Sequence, residues 1–256
     1  MKHIARKRFG QNFLKDTTVI DAIINAVNPN VDDIMVEIGP GLGAMTKRLV
    51  PLLNQLHAIE LDRDLAARLK SAYPLEKLHI YEGDALEFDF NAIAPGSKLR
   101  IIGNLPYNIS TPLLFHLMSF ISRVKDQHFM LQKEVVERMV AEPGTKSYGR
   151  LSVMLQWRYH MELLFIVPPA AFSPVPKVDS AVVCMIPVRN PFPCTAALLE
   201  KVVATAFSQR RKMVRNSLSG LFTETVLVNL AIDPMKRPED LSLSQYIALA
   251  NALETG

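Results

Sequence analysis

Residues 34–43 of this 256-residue chain read IMVEIGPGLG, and this stretch decides the fold. A short, largely apolar run is followed by three closely spaced glycines and then by a helix-like stretch up to residue 53. Glycines let the main chain approach a ligand where a Cβ would block it, and a helix start offers unpaired N–H groups. The spacing differs from the dinucleotide pattern G-x-G-x-x-G, which argues against a pyrophosphate ligand. The stretch predicts a strand, a ligand-binding glycine turn and a helix.

Two further strand-like runs end near carboxylates. Glu60 stands at the end of the second apolar run, 21 residues after Gly39, where an acid suits the two donor hydroxyls of a ribose. Asp84 and Ala85 follow a third run. The carboxyl ends of parallel strands share one edge of a sheet, and open α/β folds bind ligands there. These acids are therefore predicted to line a ligand site, with ordinary solvated loop acids as the alternative.

A fourth apolar run, residues 99–102, leads to the tetrapeptide Asn104-Leu105-Pro106-Tyr107. Pro106 has a fixed φ and favours an extended conformation in the residue before it, so the turn is rigid. An amide oxygen and a main-chain carbonyl can then both accept from one NH₂ group. The Tyr107 ring offers a flat face for a base that has left its stack. The tetrapeptide therefore suits alkylation of a base's exocyclic amine, although a proline turn after a buried strand is the plain alternative.

Strand-like runs alternate with helix-like stretches at intervals suited to βαβ units, which predicts an α/β fold with a mostly parallel sheet. The five runs are residues 34–38, 56–60, 78–82, 99–103 and 128–132. Two later runs, residues 163–167 and 181–186, flank a proline-rich segment and could pair antiparallel at the edge of the sheet.

A small helical domain is predicted at the end of the chain. Prolines at positions 187, 191 and 193 interrupt both helix and strand, which indicates a domain boundary within residues 187–194. Apolar residues then recur with helical period, at Leu199, Val202, Val203 and Ala206 and again at Leu243, Ile247 and Ala250. We therefore predict a first domain at residues 1–190 and a small all-helical domain at residues 191–256.

The formal net charge is only +4, but basic residues are concentrated in two acid-free clusters. The first cluster is Lys2, Arg6, Lys7, Arg8 and Lys15, and the second is Arg210, Arg211, Lys212 and Arg215. Such clusters could meet phosphates at separated points on a folded RNA. A solvated face, or for the first cluster a frayed terminus, is the alternative.

Several other function classes lack support in the sequence. Cys184 and Cys194 have no metal-ligand spacing, and none of the six histidines forms a recognisable catalytic pair with a Cys or Ser. No apolar run approaches the roughly 20 residues that span a bilayer, and the amino terminus lacks the apolar core of a signal peptide. We expect a cytoplasmic protein with reduced thiols, no metal and no membrane association.

The motifs, in their order and spacing, resemble those of the S-adenosylmethionine-dependent ribosomal RNA adenine dimethyltransferases. The resemblance runs from Lys7 to Asn251, and it is greatest to the bacterial group that acts on small-subunit rRNA. It implies a Rossmann-like class I methyltransferase fold. The matching stretches are residues 37–43, 60, 83–84 and 104–107, together with QNFL at 11–14, FSPVPKV at 172–178, FSQRRK at 207–212 and RPE at 237–239.

The resemblance implies S-adenosylmethionine as the cofactor and a role for each matching residue. Glu60 would accept from the ribose hydroxyls, Asp84 would accept from the adenine amine of the cofactor, and the Ala85 N–H could donate to its ring. The other candidate cofactor contacts are Asn12, Leu14, Gly39, Gly41 and Asn104.

The resemblance also assigns the chemistry to four residues. The Asn104 side-chain oxygen and the Leu105 carbonyl would accept from the target N6 amine, and Tyr107 and Phe172 would sandwich the flipped adenine. The alternative for Phe172 is a structural aromatic plug between two prolines. No general base with a shifted pKa is required. The implied substrate is a pair of adjacent adenines near the 3′ end of 16S rRNA, in a precursor of the 30S subunit. We expect a monomer with no obligate protein partner.

Other functions remain open at this point. A sister group of the same family methylates 23S rRNA and confers macrolide resistance. A DNA adenine methyltransferase would share the chemistry of residues 104–107, although the basic helical tail would then lack a purpose. A non-catalytic ribosome-assembly factor would be expected to have a degraded cofactor site, whereas the Glu37–Gly43 stretch, Glu60 and Asp84 look intact.

Overall fold

The computed structural model describes residues 11–254 and contains a seven-stranded sheet and a two-stranded sheet. Four members of the first basic cluster, all before residue 11, lie outside the described residues. The strands are β1 (Phe13–Leu14), β2 (Ile34–Ile38), β3 (Leu56–Glu60), β4 (Leu78–Glu82), β5 (Leu99–Asn104), β6 (Val124–Gln132), β7 (Tyr159–Val167), β8 (Phe172–Ser173) and β9 (Ser180–Pro187).

The large sheet has the strand order β4-β3-β2-β5-β6-β9-β7. Strands β2 to β6 pair in parallel, β9 pairs antiparallel with β6, and β7 forms the edge beside β9. The predicted Rossmann-like, mostly parallel sheet with an antiparallel edge is confirmed. Because β2 has β3 on one side and β5 on the other, the direction of chain progression reverses there. Such a reversal opens a crevice at the carboxyl ends of the strands.

Helices alternate with the strands as the βαβ pattern requires. They are α1 (Thr17–Val27), α2 (Thr46–Leu49), α3 (Arg63–Ala72), α4 (Ser110–Met118), α5 (Lys133–Met139), α6 (Arg150–Gln156), α7 (Ala196–Ser208), α8 (Val214–Ser217), α9 (Glu224–Asn229) and α10 (Leu243–Glu254). The side chain of Asp16 caps α1 by accepting from the N–H groups of Thr18 and Val19. The buried face of α1 then repeats with helical period, at Ile20, Ile23, Ile24 and Val27.

A buried arginine ties the sheet to the end of α1. Arg100 on β5 is 6% exposed, and its guanidinium donates to the carboxylates of Asp33 at 2.6 Å and Asp126 at 2.9 Å. It also donates to the main-chain carbonyls of Val27 and Asn28, where α1 ends and its carbonyls lack helical partners. Burial alone would raise the pKa of Asp33, but the hydrogen bonds that Asp33 accepts lower it to about 2.

Replacing Arg100 with methionine is expected to lower the free energy of unfolding by about 3–5 kcal/mol, because it removes the buried cation that lies between two little-exposed carboxylates. Urea unfolding measures the change. Arg48→Met is the matched control, since Arg48 forms an exposed ion pair with Asp21, and it should cost less than about 1 kcal/mol. Equal losses in the two variants would contradict this account of Arg100.

The chain divides into two compact units. The first comprises the residues up to Val136 together with Glu162–Pro187, and the second comprises Glu137–Met161 and the residues from Val188 onward. The chain passes from the first unit to the second for the last time between Pro187 and Val188. This point lies within the predicted boundary segment, residues 187–194. Residues 137–161, which we predicted to belong to the first domain, group with the second unit instead, because α6 packs against α7.

Between residues 188 and 254 all regular elements are helices, and α7 packs against α10. The periodic apolar residues of α7 form its buried face. In α10 the buried positions include Ile247 and Ala250, whereas Leu243 is half-buried. The Tyr246 hydroxyl donates to the Pro238 carbonyl at 2.7 Å. Across residues 11–254, no helix has both the length and the apolar character that crossing a membrane requires.

Candidate active site at the carboxyl ends of the parallel strands

A pocket opens where the strand order reverses. Ten of the eleven residues that we predicted to act in catalysis or cofactor binding line it, and Phe172 is the exception. The lining consists of residues 11–14, 37–42, 44–45, 59–61, 83–85 and 104–109. The motifs that follow the parallel strands, at residues 37–42, 60, 83–85 and 104–107, therefore come together at one edge of the sheet, as the βαβ reasoning predicts.

The glycine turn after β2 has a geometry that other residues would disturb. Gly39 and Gly41 both have positive φ, at 66° and 58°. A Cβ on Gly41 would lie 3.2 Å from the ring of Phe13, so the turn and the N-terminal segment pack closely over the pocket. The main chain is thereby exposed to a ligand without an intervening side chain.

Glu60 ends β3 and is 6% exposed. One carboxylate oxygen accepts from the Gly41 N–H at 3.0 Å, and the other accepts from the Asp62 N–H at 2.9 Å. Burial raises the pKa of Glu60, and these two hydrogen bonds act in the opposite direction. These two hydrogen bonds fix the orientation of the carboxylate. Because each oxygen can still accept from a further donor, the carboxylate is suited to the two hydroxyls of a diol.

Asp84 and Ala85 lie in the turn after β4, next to Glu60. The Gly83 N–H donates to the Glu60 carbonyl at 3.0 Å, which joins this turn to the end of β3. One oxygen of Asp84 accepts from the Leu86 N–H at 2.9 Å, and Ala85 is buried in the pocket wall. A half-buried carboxylate and a buried main-chain segment are thus available to a planar, polar ring.

Asn104 ends β5, and its amide orientation follows from one contact. Its Nδ2 donates to the Asn12 carbonyl at 3.0 Å. This hydrogen bond uses the donor end of the amide and leaves the acceptor end, Oδ1, for a ligand. The Leu105 N–H donates to the Met130 carbonyl at 3.1 Å on the neighbouring strand, which fixes the next peptide. An amide oxygen and an adjacent main-chain carbonyl are therefore held in the same turn.

Tyr107 lies in the same turn and is half-buried. Its hydroxyl is 2.8 Å from Oγ of Ser180, and its carbonyl accepts from Oγ of Ser110 at 3.1 Å. Burial raises the pKa of Tyr107, so the phenol stays neutral at physiological pH. The ring contributes to the pocket lining as the sequence predicts.

Phe172 departs from the prediction. Its side chain is 0% exposed and belongs to the hydrophobic core that includes Leu14 and Val182. Its main chain pairs with Leu14 where β8 meets β1. In this conformation the ring faces the core and not the pocket, so the predicted sandwich of Tyr107 and Phe172 around a base is not formed. The cause is the apolar burial that an aromatic side chain gains in this core, which also contains residues of α1 and of the sheet.

Glu37, to which the sequence motifs assign no role, also lines the pocket. It is 0% exposed, and its Oε2 accepts from the Thr46 hydroxyl at 2.6 Å. Its Oε1 has no hydrogen-bond partner among the described residues. Burial raises the pKa of Glu37 from 4.5 to about 7, with a smaller contribution from the charge of Glu60. An acid in an otherwise apolar strand was the signal that could have identified it.

The raised pKa of Glu37 predicts a pH-dependent stability. Between pH 4.5 and about 7 the folded chain holds a proton on Glu37 that the unfolded chain has released. The free energy of unfolding therefore falls as the pH rises through this window. Between these two pH values the free energy of unfolding of the wild-type chain should fall by about 3 kcal/mol relative to that of Glu37→Gln. Urea unfolding at a series of pH values measures the difference. Parallel curves for the two proteins would contradict the assignment.

Comparisons with known proteins agree with this geometry. The family model for ribosomal RNA adenine dimethylase matches residues 2–255. Ribosomal RNA small subunit methyltransferase A from Herminiimonas arsenicoxydans is 63% identical over 255 residues, covering 99% of this chain and 100% of that protein. The protein of the same name from Chromobacterium violaceum is 59% identical over 256 residues, covering 98% of this chain and 97% of that protein.

Solved structures show the same fold. A dimethyladenosine transferase from Plasmodium falciparum superposes with a TM-score of 0.83 at 27% identity, covering 95% of this chain and 98% of that chain. The 23S rRNA methyltransferase ErmE gives a TM-score of 0.75 at 22% identity, covering 95% of this chain and 100% of that chain. The family match across nearly all residues, and relatives at about 60% identity, show that this chain belongs to the ribosomal RNA adenine dimethylase family of enzymes.

Proposed function

We propose that this enzyme dimethylates the N6 amines of two adjacent adenines near the 3′ end of 16S rRNA, with S-adenosylmethionine as methyl donor. The single observation that carries the proposal is the orientation of Asn104, whose amide nitrogen is engaged by the Asn12 carbonyl while its oxygen remains available in the pocket. The 63% identity to a protein named as a small-subunit rRNA methyltransferase supports the choice of subunit. We further propose that the enzyme acts in the cytoplasm as a monomer, on a partly assembled 30S precursor.

The pocket residues fit this cofactor. Glu60, already oriented by two N–H groups, would accept from the ribose hydroxyls, and Asp84 and the Ala85 N–H would bind the adenine ring. The close packing of Gly41 against Phe13 leaves the turn main chain as the contact surface for the ribose and methionine portions. The unpartnered Oε1 of the buried Glu37 is a further polar atom that a bound ligand would satisfy. Asn12 and Leu14 would cover the cofactor from the N-terminal side.

The chain's own residues would localise the lone pair of the target amine. Adenine N6 is a poor nucleophile because its lone pair is delocalised into the ring. Two acceptors, the Asn104 Oδ1 and the Leu105 carbonyl, would bind its hydrogens and direct the lone pair away from them. Bound S-adenosylmethionine supplies an electrophilic methyl group on a sulfonium. As positive charge grows on the nitrogen, the same two oxygens would stabilise it, and the proton can leave to solvent afterwards.

Tyr107 would stack on the flipped adenine in this proposal. Stacking of one base on an aromatic ring contributes on the order of 1–3 kcal/mol in proteins that bind single strands. Because the ring of Phe172 lies in the core, we do not propose it as the second stacking face in this conformation. A contact between Phe172 and the base would require the Phe172 ring to leave the core.

The second basic cluster is proposed to contact RNA phosphates. Arg211 and Lys212 are exposed, whereas Arg210 donates to Glu239 at 2.6 Å and also to the Lys146 carbonyl. Arg215 is 4.0 Å from Glu224. The two exposed cations are therefore the members of the cluster that can bind phosphate without breaking a contact within their own unit.

The experiment that tests the function uses labelled S-adenosylmethionine and small subunits from cells that lack the modification. Label on N6 of two adjacent adenines near the 3′ end of 16S rRNA, located by mass spectrometry, is the expected result. Parallel incubations with large subunits and with duplex DNA test the 23S and DNA alternatives. Label in either of these, or no transfer at all as expected of a non-catalytic assembly factor, would contradict the proposal.

A further inference from the structure

Tyr107 is held by one hydrogen bond at its side chain and by another at its main chain. Its hydroxyl is 2.8 Å from the Ser180 hydroxyl, and its carbonyl accepts from the Ser110 hydroxyl at 3.1 Å. Ser180 is 0% exposed, and it is not part of the pocket lining. The hydroxyl that fixes the outer end of the ring is thus a buried group behind the pocket wall.

Ser180 itself lies on a rigid frame. It is the first residue of β9 and pairs with Gln132 at the end of β6. The Lys133 N–H donates to the Asp179 carbonyl at 3.0 Å, so the residue before Ser180 is also tied to this neighbouring strand. Ser180 follows the proline-rich segment that begins at Phe172. Because the Tyr107 hydroxyl is hydrogen-bonded to Ser180, the position of Ser180 in the sheet determines the position of that hydroxyl.

We infer that Ser180 is a positioning residue for methyl transfer: its hydroxyl orients the Tyr107 ring so that an extruded adenine can stack with its amine at Asn104. This inference rests on the proposed function. It also gives the proline-rich segment a role at the base site through Ser180, independent of Phe172, whose ring is in the core.

The hydrogen bond to Ser180 restricts the freedom of the Tyr107 ring. A Tyr side chain held only by its main chain can change rotamer, and a ring tilted away offers the base a smaller face. One hydrogen bond to a buried, immobile partner selects a single orientation before the base arrives. Preorganisation of this kind contributes to the rate because the ordering cost is not incurred during base capture.

The alternative is that the two hydroxyls are simply a satisfied polar pair, important for folding alone. The two possibilities differ in their kinetic signature. In the proposed function the RNA would dock through surfaces larger than one base, and base capture would follow docking. Loss of ring orientation should therefore lower kcat while leaving the KM values for the small subunit and for S-adenosylmethionine nearly unchanged. A purely structural pair would lower the melting temperature and leave kcat per folded molecule unchanged.

The experiment compares Ser180→Ala, Tyr107→Phe and the double variant in the transfer assay with undermethylated small subunits. Each single variant should lower kcat about tenfold, and the double variant should be no worse than either one, because all three lose the same hydrogen bond. Ser180→Thr keeps a hydroxyl and should recover most of the rate. Ser217→Ala, which removes another buried serine hydroxyl, should retain the wild-type kcat.

The outcomes separate this inference from the function on which it rests. Unchanged kcat in Ser180→Ala and Tyr107→Phe, with transfer lowered at least about 10²-fold in Asn104→Ala, would overturn the positioning role and leave the proposed function standing. Multiplicative losses in the double variant would also overturn it. Wild-type rates in Asn104→Ala would instead count against the proposed function. Circular dichroism and melting temperatures of all variants identify any that fail to fold, and Ser180→Thr then provides the test through rescue.

Discussion

Asn104→Ala should lower the rate of methyl transfer by roughly 10²- to 10³-fold, with little change in the affinity for small subunits. The variant removes one of the two acceptors that localise the amine lone pair and stabilise the charge growing on N6. It also removes the hydrogen bond that the Asn12 carbonyl accepts from the amide. Single-turnover transfer from labelled S-adenosylmethionine measures the chemical step, and equilibrium binding of the cofactor is measured separately because Asn104 is also a candidate cofactor contact.

Two comparisons sharpen this prediction. Asn104→Asp retains an acceptor but directs a carboxylate at the Asn12 carbonyl, so its rate should lie between those of the wild type and Asn104→Ala. Asn229→Ala, which changes an exposed asparagine on α9, should transfer at the normal rate. A normal single-turnover rate in Asn104→Ala would show that the amide oxygen takes no part in the reaction.

Glu60→Ala should weaken S-adenosylmethionine binding by about 10²- to 10⁴-fold, because two hydrogen bonds to a charged acceptor are lost. A second effect acts in the same direction. The Gly41 N–H and the Asp62 N–H would lose the carboxylate that holds the glycine turn against the end of β3. Isothermal titration with S-adenosylmethionine measures the affinity.

Glu82→Ala is the matched control for Glu60→Ala. Glu82 ends the neighbouring strand and pairs in register with Glu60, but it is exposed and forms a surface ion pair with Lys70. Its removal should leave cofactor affinity within a factor of about two, as expected for a surface pair. Equal losses in the two variants would indicate a general effect of charge, and an unchanged affinity in Glu60→Ala would refute the assignment to the ribose.

The sequence allowed the sheet and most of the pocket to be predicted because both depend on local patterns. Apolar runs bounded by glycine or an acid predict the parallel strands. Parallel strands bring their carboxyl ends to one edge of the sheet. Glu60, Asp84 and Asn104 each follow such a run, so their convergence needed no knowledge of side-chain contacts. The periodic residues of α7 form its buried face for the same reason.

Other features depend on contacts between distant segments, which local patterns do not encode. The orientation of Phe172 depends on whether its ring is stabilised more by packing in the core or by packing against the pocket. In the structure the ring packs in the core. The hydrogen bond between Ser180 and Tyr107 joins residues that are 73 positions apart in the sequence. The hydrogen bond between Asn12 and Asn104 joins residues that are 92 positions apart. The grouping of residues 137–161 with the second unit likewise follows from the packing of α6 on α7.

A crystal structure with bound S-adenosylhomocysteine and a small-subunit RNA fragment tests the central claim most directly. The account predicts an adenine stacked on Tyr107, with its N6 within about 3.2 Å of both the Asn104 Oδ1 and the Leu105 carbonyl oxygen. The sulfur of the cofactor product should face the opposite side of that nitrogen. An adenine amine bound elsewhere, or an Asn104 side chain turned out of the pocket, would contradict the account.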